Sequence, residues 1–235
     1  MKHLLFALLG ISTASSDIIA EWSPLKSQFE NSDLKPSGKA LETPEFDTTG
    51  NLIFANKQHL ILPEEIAKKL PKQNIAIEAR VRIDQSQRWG SIASYSQDNG
   101  SYERGWILGF NGDQFSFRLS TGGQLLEVKA PQSFEPGHWA HLLGTYDGKK
   151  ISLFINGVLV ATRIASGPIV LPDIPTPFVI GAYKDKDEFY PINGRISSVT
   201  IRNSLPTKKE LVAIAKKSAG VAFSVRPAVR FLSPG

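Results

Sequence analysis

Apolar and polar residues alternate along most of the chain from residue 51 onward, in short runs separated by turn dipeptides. The clearest run is Ile75–Ile83, where every second residue is apolar and Glu78, Arg80 and Arg82 stand between them. A period of two places the apolar side chains on one face of a strand and the charged ones on the other. This spacing predicts an antiparallel β-sandwich or barrel of short strands.

Asn-Gly and Asp-Gly pairs join the predicted strands. Asp147-Gly148 and Asn156-Gly157 divide residues 138–160 into three strands, and Asn111-Gly112 joins two earlier ones. Asn and Gly tolerate the positive φ of tight turns, so these pairs indicate antiparallel neighbours. The other predicted strands are Leu52–Phe54, Leu60–Pro63, Ser91–Tyr95, Gly105–Phe110, Gln114–Leu119, Leu125–Val128, Phe178–Ala182 and Arg195–Arg202.

One helix is predicted near the end of the chain. Thr207 and Glu210 have the spacing of a capping box, in which each side chain binds a free backbone amide of the first turn. Leu211 and Ile214 then fall on one helical face. We therefore expect a short C-terminal helix after an otherwise all-β domain.

The two ends of the chain differ from its middle. A basic start, the apolar run Leu4–Ile11 and small residues at 12–14 predict a signal peptide over residues 1–16, with a buried N-terminal strand or helix as the alternative. Residues 17–50 form a polar lead-in that we expect to pack loosely, 51–217 the domain and 218–235 a tail. We expect a secreted or periplasmic protein without membrane insertion after signal removal, since no later segment reaches transmembrane length.

Composition excludes several classes of site. The chain has no cysteine, which excludes disulfides, thiolate metal sites and a cysteine nucleophile. The net charge of +5 comes from scattered lysine clusters, and no stripe of arginines alternates with aromatic residues. A nucleic-acid partner is therefore not expected.

Three blocks of sequence carry a family resemblance: Ile75–Ile83, Gly137–Gly148 with Leu153–Gly157, and Ile180-Gly181 with Gly194–Ile201. From about residue 52 to 217 the chain resembles the laminin-G-like, concanavalin A-like lectin/glucanase superfamily, in its bacterial jelly-roll branch. The resemblance implies an antiparallel jelly-roll sandwich. It does not specify a function, because this fold carries lectins, glycosidases, lyases, adhesins and passive modules.

Members of this family often hold calcium with acidic residues in the first strand and near the end of the domain. Here the corresponding segments, residues 54–59 and Ile196–Val199, contain no carboxylate. Calcium takes six to eight oxygen ligands, carboxylates among them. We therefore expect no metal and no cofactor, with calcium as the ion to consider if one binds.

A catalytic site is not predicted either. Hydrolases of this fold carry Glu-x-Asp-x-x-Glu on one strand, which brings two carboxylates together. The nearest string, Glu45-Phe46-Asp47, lacks the second glutamate and precedes the first clear strand. His138 and His141 lie three apart, so on a strand they point to opposite faces and do not suit one metal. His141 is expected to be packed or hydrogen-bonded.

Loop aromatics point to a carbohydrate ligand. A sugar presents apolar C–H faces and many hydroxyls, so its site needs an aromatic platform beside polar side chains. Trp106, Phe110 and Trp139 are assigned to the core. The sequence predicts a secreted, non-catalytic carbohydrate-binding module. The alternatives are a protein-interaction or structural module of the envelope or matrix, and a glycoside hydrolase or lyase with an atypical site. The candidate ligand-binding residues are Trp89, Asp98, Asn99, Tyr102, Arg104, Tyr183 and Asp187.

Overall fold

The computed structural model describes residues 18–22, 45–55, 57–62 and 64–218. Within these ranges the chain is mainly β-strand, with two short helices, α1 (Glu64–Ala67) and α2 (Lys208–Ser218). The strands are β1 (Ile18–Trp22), β2 (Leu52–Phe54), β3 (Leu60–Leu62), β4 (Ile75–Ile83), β5 (Gln87–Asn99), β6 (Tyr102–Gly112), β7 (Gln114–Thr121), β8 (Gln124–Lys129), β9 (Trp139–Tyr146), β10 (Lys150–Ile155), β11 (Val158–Ile164), β12 (Phe178–Ile180), β13 (Ala182–Lys184), β14 (Phe189–Pro191) and β15 (Gly194–Arg202).

The described strands form two antiparallel sheets that pack face to face. The seven-stranded sheet runs β1-β15-β4-β9-β10-β11, with β2 also paired to β15, and the six-stranded sheet runs β3-β12-β5-β6-β7-β8. A separate two-stranded ribbon, β13–β14, follows β12. The predicted all-β antiparallel jelly-roll sandwich with one C-terminal helix is confirmed.

Strand β4 has the orientation that its alternation predicts. Ile75, Ile77, Ala79 and Val81 are fully buried between the sheets. Arg80 lies on the opposite, half-exposed side. The apolar period therefore decides which face of this central strand meets the core.

The sheets approach closely where β7 and β9 cross. Phe117 of β7 is fully buried, and a Cβ added to Gly144 of β9 would lie 2.5 Å from the Cγ of its ring. Trp106 and Phe110, predicted as core residues, are also fully buried. A glycine at position 144 thus allows an aromatic ring of one sheet to lie directly on the backbone of the other.

The meander of β9, β10 and β11 has the predicted turn. Asn156 and Gly157 adopt φ values of 52° and 77°, as the two central residues of a type I′ turn require. Helix α2 passes directly over this turn, since a Cβ on Gly157 would lie 2.5 Å from the carbonyl oxygen of Leu211. The helix therefore covers part of the outer face of the seven-stranded sheet.

Helix α2 begins with the predicted capping box. The Glu210 N–H donates to Thr207 Oγ1 at 3.2 Å, and the Thr207 N–H donates to Glu210 Oε2 at 2.7 Å. Both bonds use amides that have no partner inside the helix.

Part of the predicted lead-in belongs to the sandwich. Strand β1 pairs along β15, from Ile18 opposite Arg202 to Trp22 opposite Val199. These five residues extend the sheet, where we expected loose packing. The predicted signal peptide and the tail beyond Ser218 lie outside the described residues. Across the described part of the chain, no helix is long and apolar enough to cross a membrane.

Candidate functional site

A pocket of about 210 Å³ opens where the ribbon β13–β14 covers the outer face of the six-stranded sheet. Ile107 of β6 and Arg118 of β7 are cross-strand partners on this face, while the residues before and after them point into the core. We call this cavity the Trp89 pocket. It is lined by Trp89, Gly90, Asp98, Ile107, Arg118, Tyr183, Glu188 and Tyr190.

Trp89 is held in an unusual backbone conformation. Its φ is 63°, in the left-handed region that bulky residues rarely adopt. The register of β5 against β6 shifts between Gln87 and Gly90, so Trp89 lies at a β-bulge. Gly90 rests on the ring of Phe110, because an added Cβ would lie 2.1 Å from Cζ. Bulges re-aim a side chain, and this one positions Trp89 at the pocket.

Two arginines lie against the indole of Trp89. The guanidinium carbon of Arg118 is 4.6 Å from the ring centroid and that of Arg88 is 5.1 Å away. Arg118 also pairs with Glu127 at 3.0 Å. The indole is therefore fixed by its neighbours before any ligand arrives, which lowers the entropy that binding costs.

Asp98 provides the pocket with an uncommitted carboxylate. Within the described part of the chain it has no hydrogen bond and no ion pair. Burial raises its pKa, the nearby carboxylate of Glu103 raises it further, and Arg118 opposes this effect. A half-buried carboxylate with free acceptor oxygens gains most from a ligand that donates hydrogen bonds.

Tyr183 and Tyr190 form the wall on the ribbon. They are cross-strand partners with ring centroids 6.1 Å apart and planes at 19°. The Tyr183 hydroxyl donates to Asp185 Oδ2 at 2.6 Å, and the Tyr190 hydroxyl donates to Glu188 Oε1 at 2.9 Å. Burial, together with the hydrogen bond to Asp185, strongly raises the pKa of the Tyr183 hydroxyl, so this hydroxyl stays un-ionised.

The loop behind this wall is organised by Asp185. Its Oδ1 accepts the N–H groups of Asp187 at 3.1 Å and Glu188 at 2.7 Å. These bonds shape the connection between β13 and β14 without a ligand.

Three of the seven predicted ligand-binding residues meet in the pocket: Trp89, Asp98 and Tyr183. The others do not line it. Asn99 ends β5, where its Nδ2 donates to Gln97 Oε1 at 2.9 Å. Asp187 contributes a backbone N–H to the loop described above.

Tyr102 and Arg104 form a separate cluster around Asp173, which lies in the Pro-rich connection of residues 168–177 between β11 and β12. The Tyr102 hydroxyl donates to one carboxylate oxygen. Arg104 Nη1 donates to the other at 2.7 Å and lies over the Tyr102 ring, 4.6 Å from its centroid. The described contacts give this cluster a role in anchoring the connection to β6.

The candidate residues did not include the other five that line the pocket, Gly90, Ile107, Arg118, Glu188 and Tyr190. Ile107 and Arg118 lie in the middle of predicted strands, and only the register between β6 and β7 shows that they share the outer face. Tyr183 and Tyr190 stand on either side of the charged segment 184–188. This placement was the available sequence signal for the ribbon, in which the two tyrosines are cross-strand partners.

The histidines and acidic strings considered from the sequence lie elsewhere. His141 Nε2 bonds to Glu78 Oε1 at 2.7 Å, which confirms the predicted hydrogen-bonded histidine. Asp47 accepts hydrogen bonds from Thr49 and Asn51 and lies 3.4 Å from Arg195 Nε. Among the described residues, no group of three or more histidine, aspartate or glutamate side chains is placed to hold a metal ion.

The Laminin_G_3 family model, described as the concanavalin A-like lectin/glucanases superfamily, matches residues 54–212, well over half of the chain. The chain belongs to this family. The resemblance found in the sequence blocks is thereby confirmed.

Among curated proteins, this Laminin_G_3 chain is similar to pappalysin-1. It is 31% identical to the Homo sapiens protein and 30% identical to the Mus musculus protein, each over 107 residues. The match covers 40% of this chain and 7% of either relative, so it concerns only a small part of those much longer proteins.

Solved structures share the fold at low identity. Domain 4 of AbnA, a GH43 extracellular arabinanase from Geobacillus stearothermophilus solved with arabinotriose, gives a TM-score of 0.64 at 15% identity, covering 84% of this chain and 98% of that one. The CBM40 of the Ruminococcus gnavus IT-sialidase, bound to α2,3-sialyllactose, gives 0.56 at 17% identity, covering 76% and 99%. A putative carbohydrate-binding protein from Bacteroides ovatus gives 0.52 at 21% identity, covering 68% and 44%.

Proposed function

We propose that this protein is an exported, non-catalytic binding module whose Trp89 pocket holds one or two units of a glycan. The observation that carries the proposal is the convergence of Trp89, Tyr183 and Tyr190 with the uncommitted carboxylate of Asp98 in one cavity. Aromatic faces pack against sugar C–H groups, and a carboxylate accepts hydrogen bonds from sugar hydroxyls.

Two further observations support this proposal. The strained backbone of Trp89 is of a kind that clusters at ligand sites, because the surrounding structure must maintain it. Structures of the same fold have been solved with arabinotriose and with sialyllactose. Export is supported by the N-terminal sequence, and N-terminal sequencing of the mature protein would test it.

The size of the pocket sets the expected affinity. At about 210 Å³ it is smaller than the roughly 300–1,000 Å³ typical of drug-sized ligand sites. We therefore expect dissociation constants between about 1 mM and 1 μM, equivalent to about 4–8 kcal/mol.

The experiment is binding of the full chain to a panel of plant, algal and bacterial glycans, followed by calorimetry on any ligand found. Trp89→Ala should weaken binding about five- to thirty-fold, the effect of losing about 1–2 kcal/mol, and Trp89→Phe should retain most of the affinity. Asp98→Asn should also weaken it, because an uncharged amide is a poorer hydrogen-bond acceptor than a carboxylate.

Tyr102→Phe provides the matched control. It alters an aromatic residue that the sequence also suggested, but one bound to Asp173 outside the pocket. Its affinity should equal that of the unmodified protein. A panel without any bound glycan would refute the proposal and favour a protein-interaction or structural module.

A second candidate function follows from one observation. Asp98 and Glu188 line the same pocket, and the raised pKa of Asp98 suits a general acid. Against this, Glu188 already accepts the hydroxyl of Tyr190. Release of reducing ends from a polysaccharide panel, abolished by Asp98→Asn, would establish a hydrolase. Binding without release would leave the non-catalytic module.

A further inference from the structure

A second cavity, of about 240 Å³, lies between the outer face of the seven-stranded sheet and helix α2. Its walls include Arg80 of β4, Trp139 of β9 and Lys217 of α2. We propose that this cavity, which we call the helix cleft, binds an oxyanion, such as the carboxylate or sulfate group of an acidic ligand. This site is distinct from the Trp89 pocket and does not depend on the function proposed for it.

Arg80 carries the main argument. Its side chain is half-buried, and in the described part of the chain no carboxylate lies within ion-pair distance of it. Its guanidinium lies over the indole of Trp139, 5.0 Å from the ring centroid. Stacking on an aromatic face leaves the N–H groups at the edge of the guanidinium free, and these match the two oxygens of a carboxylate or sulfate.

Glu78 is the one carboxylate among the described residues that line the cleft, and it does not neutralise Arg80. Glu78 accepts His141 Nε2 at 2.7 Å and lies 3.3 Å from Arg202 Nη2. Burial raises its pKa, but the bonds to His141 and Arg202 outweigh burial and hold the pKa below its ordinary value. Glu78 is thus ionised and already engaged by His141 and Arg202. Arg202 also pairs with Glu210 at 3.1 Å, so this group keeps some negative charge, but both of its carboxylates are bound to partners other than Arg80.

The other charged side chains among the described lining residues are positive. Arg80 and Lys217 contribute two cations. The C-terminus of α2 opposes them with about half a negative charge, which is smaller and acts only within the last turn. Ser198 adds a hydroxyl donor to the same cavity. A partly buried cation without a counter-ion gains free energy when an oxyanion binds, because desolvation without pairing is unfavourable.

The indole of Trp139 provides an NMR signal by which binding in the cleft can be followed. The sequence assigned this residue to the core, whereas the structure places it half-buried at the edge of the cleft. The indole N–H of Trp139 and the Nε–H of Arg80 therefore report on a ligand in this cavity and can be followed separately by NMR.

The experiment titrates the full chain with sodium glucuronate and with sodium sulfate at constant ionic strength, with glucose and sodium chloride as controls. Saturable shifts of both signals with either oxyanion, and not with the controls, are expected. The oxyanion that saturates at the lower concentration identifies the preferred group. Arg80→Gln should weaken binding about tenfold or more, as expected for loss of a charged hydrogen-bonding partner.

Matched variants keep the test decisive. Arg82→Gln removes a charge two residues away on β4, from an arginine already bonded to Asp84 at 2.7 Å, and should leave binding unchanged. Arg80→Lys retains the charge without the planar fork and should retain only part of the affinity. Shifts that are equal with chloride, or that persist in a folded Arg80→Gln variant, would overturn the proposal.

Discussion

Replacing Gly144 with alanine tests the packing of the two sheets on which the Trp89 pocket is built. The new Cβ would lie between 2.5 and 2.8 Å from Cγ, Cδ1 and Cδ2 of Phe117, far inside contact distance. Phe117 is fully buried, so its ring cannot withdraw towards solvent. Its neighbour on β7 is Arg118, which holds the indole of Trp89, so a displaced β7 would also disturb the pocket.

The magnitude follows from two opposing effects. Overpacking a buried site costs about 1–3 kcal/mol, and three close carbon atoms place this case at about 2–3 kcal/mol. Alanine also stiffens the unfolded chain relative to glycine, which favours the folded state by about 0.4–1 kcal/mol. The net loss of unfolding free energy should be about 1–2.5 kcal/mol. For a domain of this size that lowers Tm by about 2–10 °C.

The assay is urea unfolding followed by tryptophan fluorescence, with Phe117→Leu and the double variant measured alongside. Leucine removes the ring that the new methyl group would overlap. The double variant should therefore lose less unfolding free energy than the two single variants together, by about 0.5–3 kcal/mol. Ile164→Thr, at a side chain 88% exposed, is the control and should change stability by less than about 0.5 kcal/mol. An unchanged unfolding midpoint for Gly144→Ala, or strict additivity, would refute the described packing.

Three further predictions concern protonation, capping and ligand charge. Tyrosine ionises near pH 10 in an unfolded chain, but burial and the hydrogen bond to Asp185 raise the pKa of Tyr183 in the folded protein. Above about pH 10 the unfolded chain therefore loses this proton more readily than the folded one, and the stability of the fold should fall. Thermal unfolding should show a less steep fall in Tyr183→Phe. Thr207→Ala removes the N-cap of α2 and should lower the free energy of unfolding, measured in urea, by about 0.5–2 kcal/mol. An unchanged free energy of unfolding would show that the first turn of the helix is frayed and the cap does not stabilise it. Neutral glycans should bind the Trp89 pocket more tightly than acidic ones, because the carboxylates of Asp98 and Glu188 repel an anion. Asp98→Asn should reduce this difference in affinity. Tighter binding of acidic glycans in the pocket would contradict the electrostatic argument.

Most strands were predictable because their causes are local. Strand β4 has the predicted bounds, Ile75–Ile83, since its alternation continues for the full length of the strand. The ends of β5 were not predictable in this way. It runs from Gln87 to Asn99, beyond the predicted Ser91–Tyr95, and its added residues are mainly polar. Ser96 is buried with its hydroxyl donating to the carbonyl of Arg104, a partner that only the neighbouring strand supplies.

The candidate site was predictable only in part. A loop composition rich in aromatic and polar residues suggested Trp89, Asp98 and Tyr183, and these meet in one pocket. The same criterion also suggested Tyr102, which is bound to Asp173 instead. Nothing local distinguishes these cases, because residue 173 is far away along the chain and is brought close by the Pro-rich connection.

By itself, the sequence determined the strands with a period of two, the tight turn at Asn156-Gly157 and the capped helix at Thr207. Each of these depends on backbone angles and hydrogen bonds among residues a few positions apart. Only the tertiary structure decided that Arg118 lies on Trp89 and that Trp139 borders a cleft with Arg80. Those contacts depend on cross-strand register and on a bulge, which are set by the packing of whole sheets and not by any short segment.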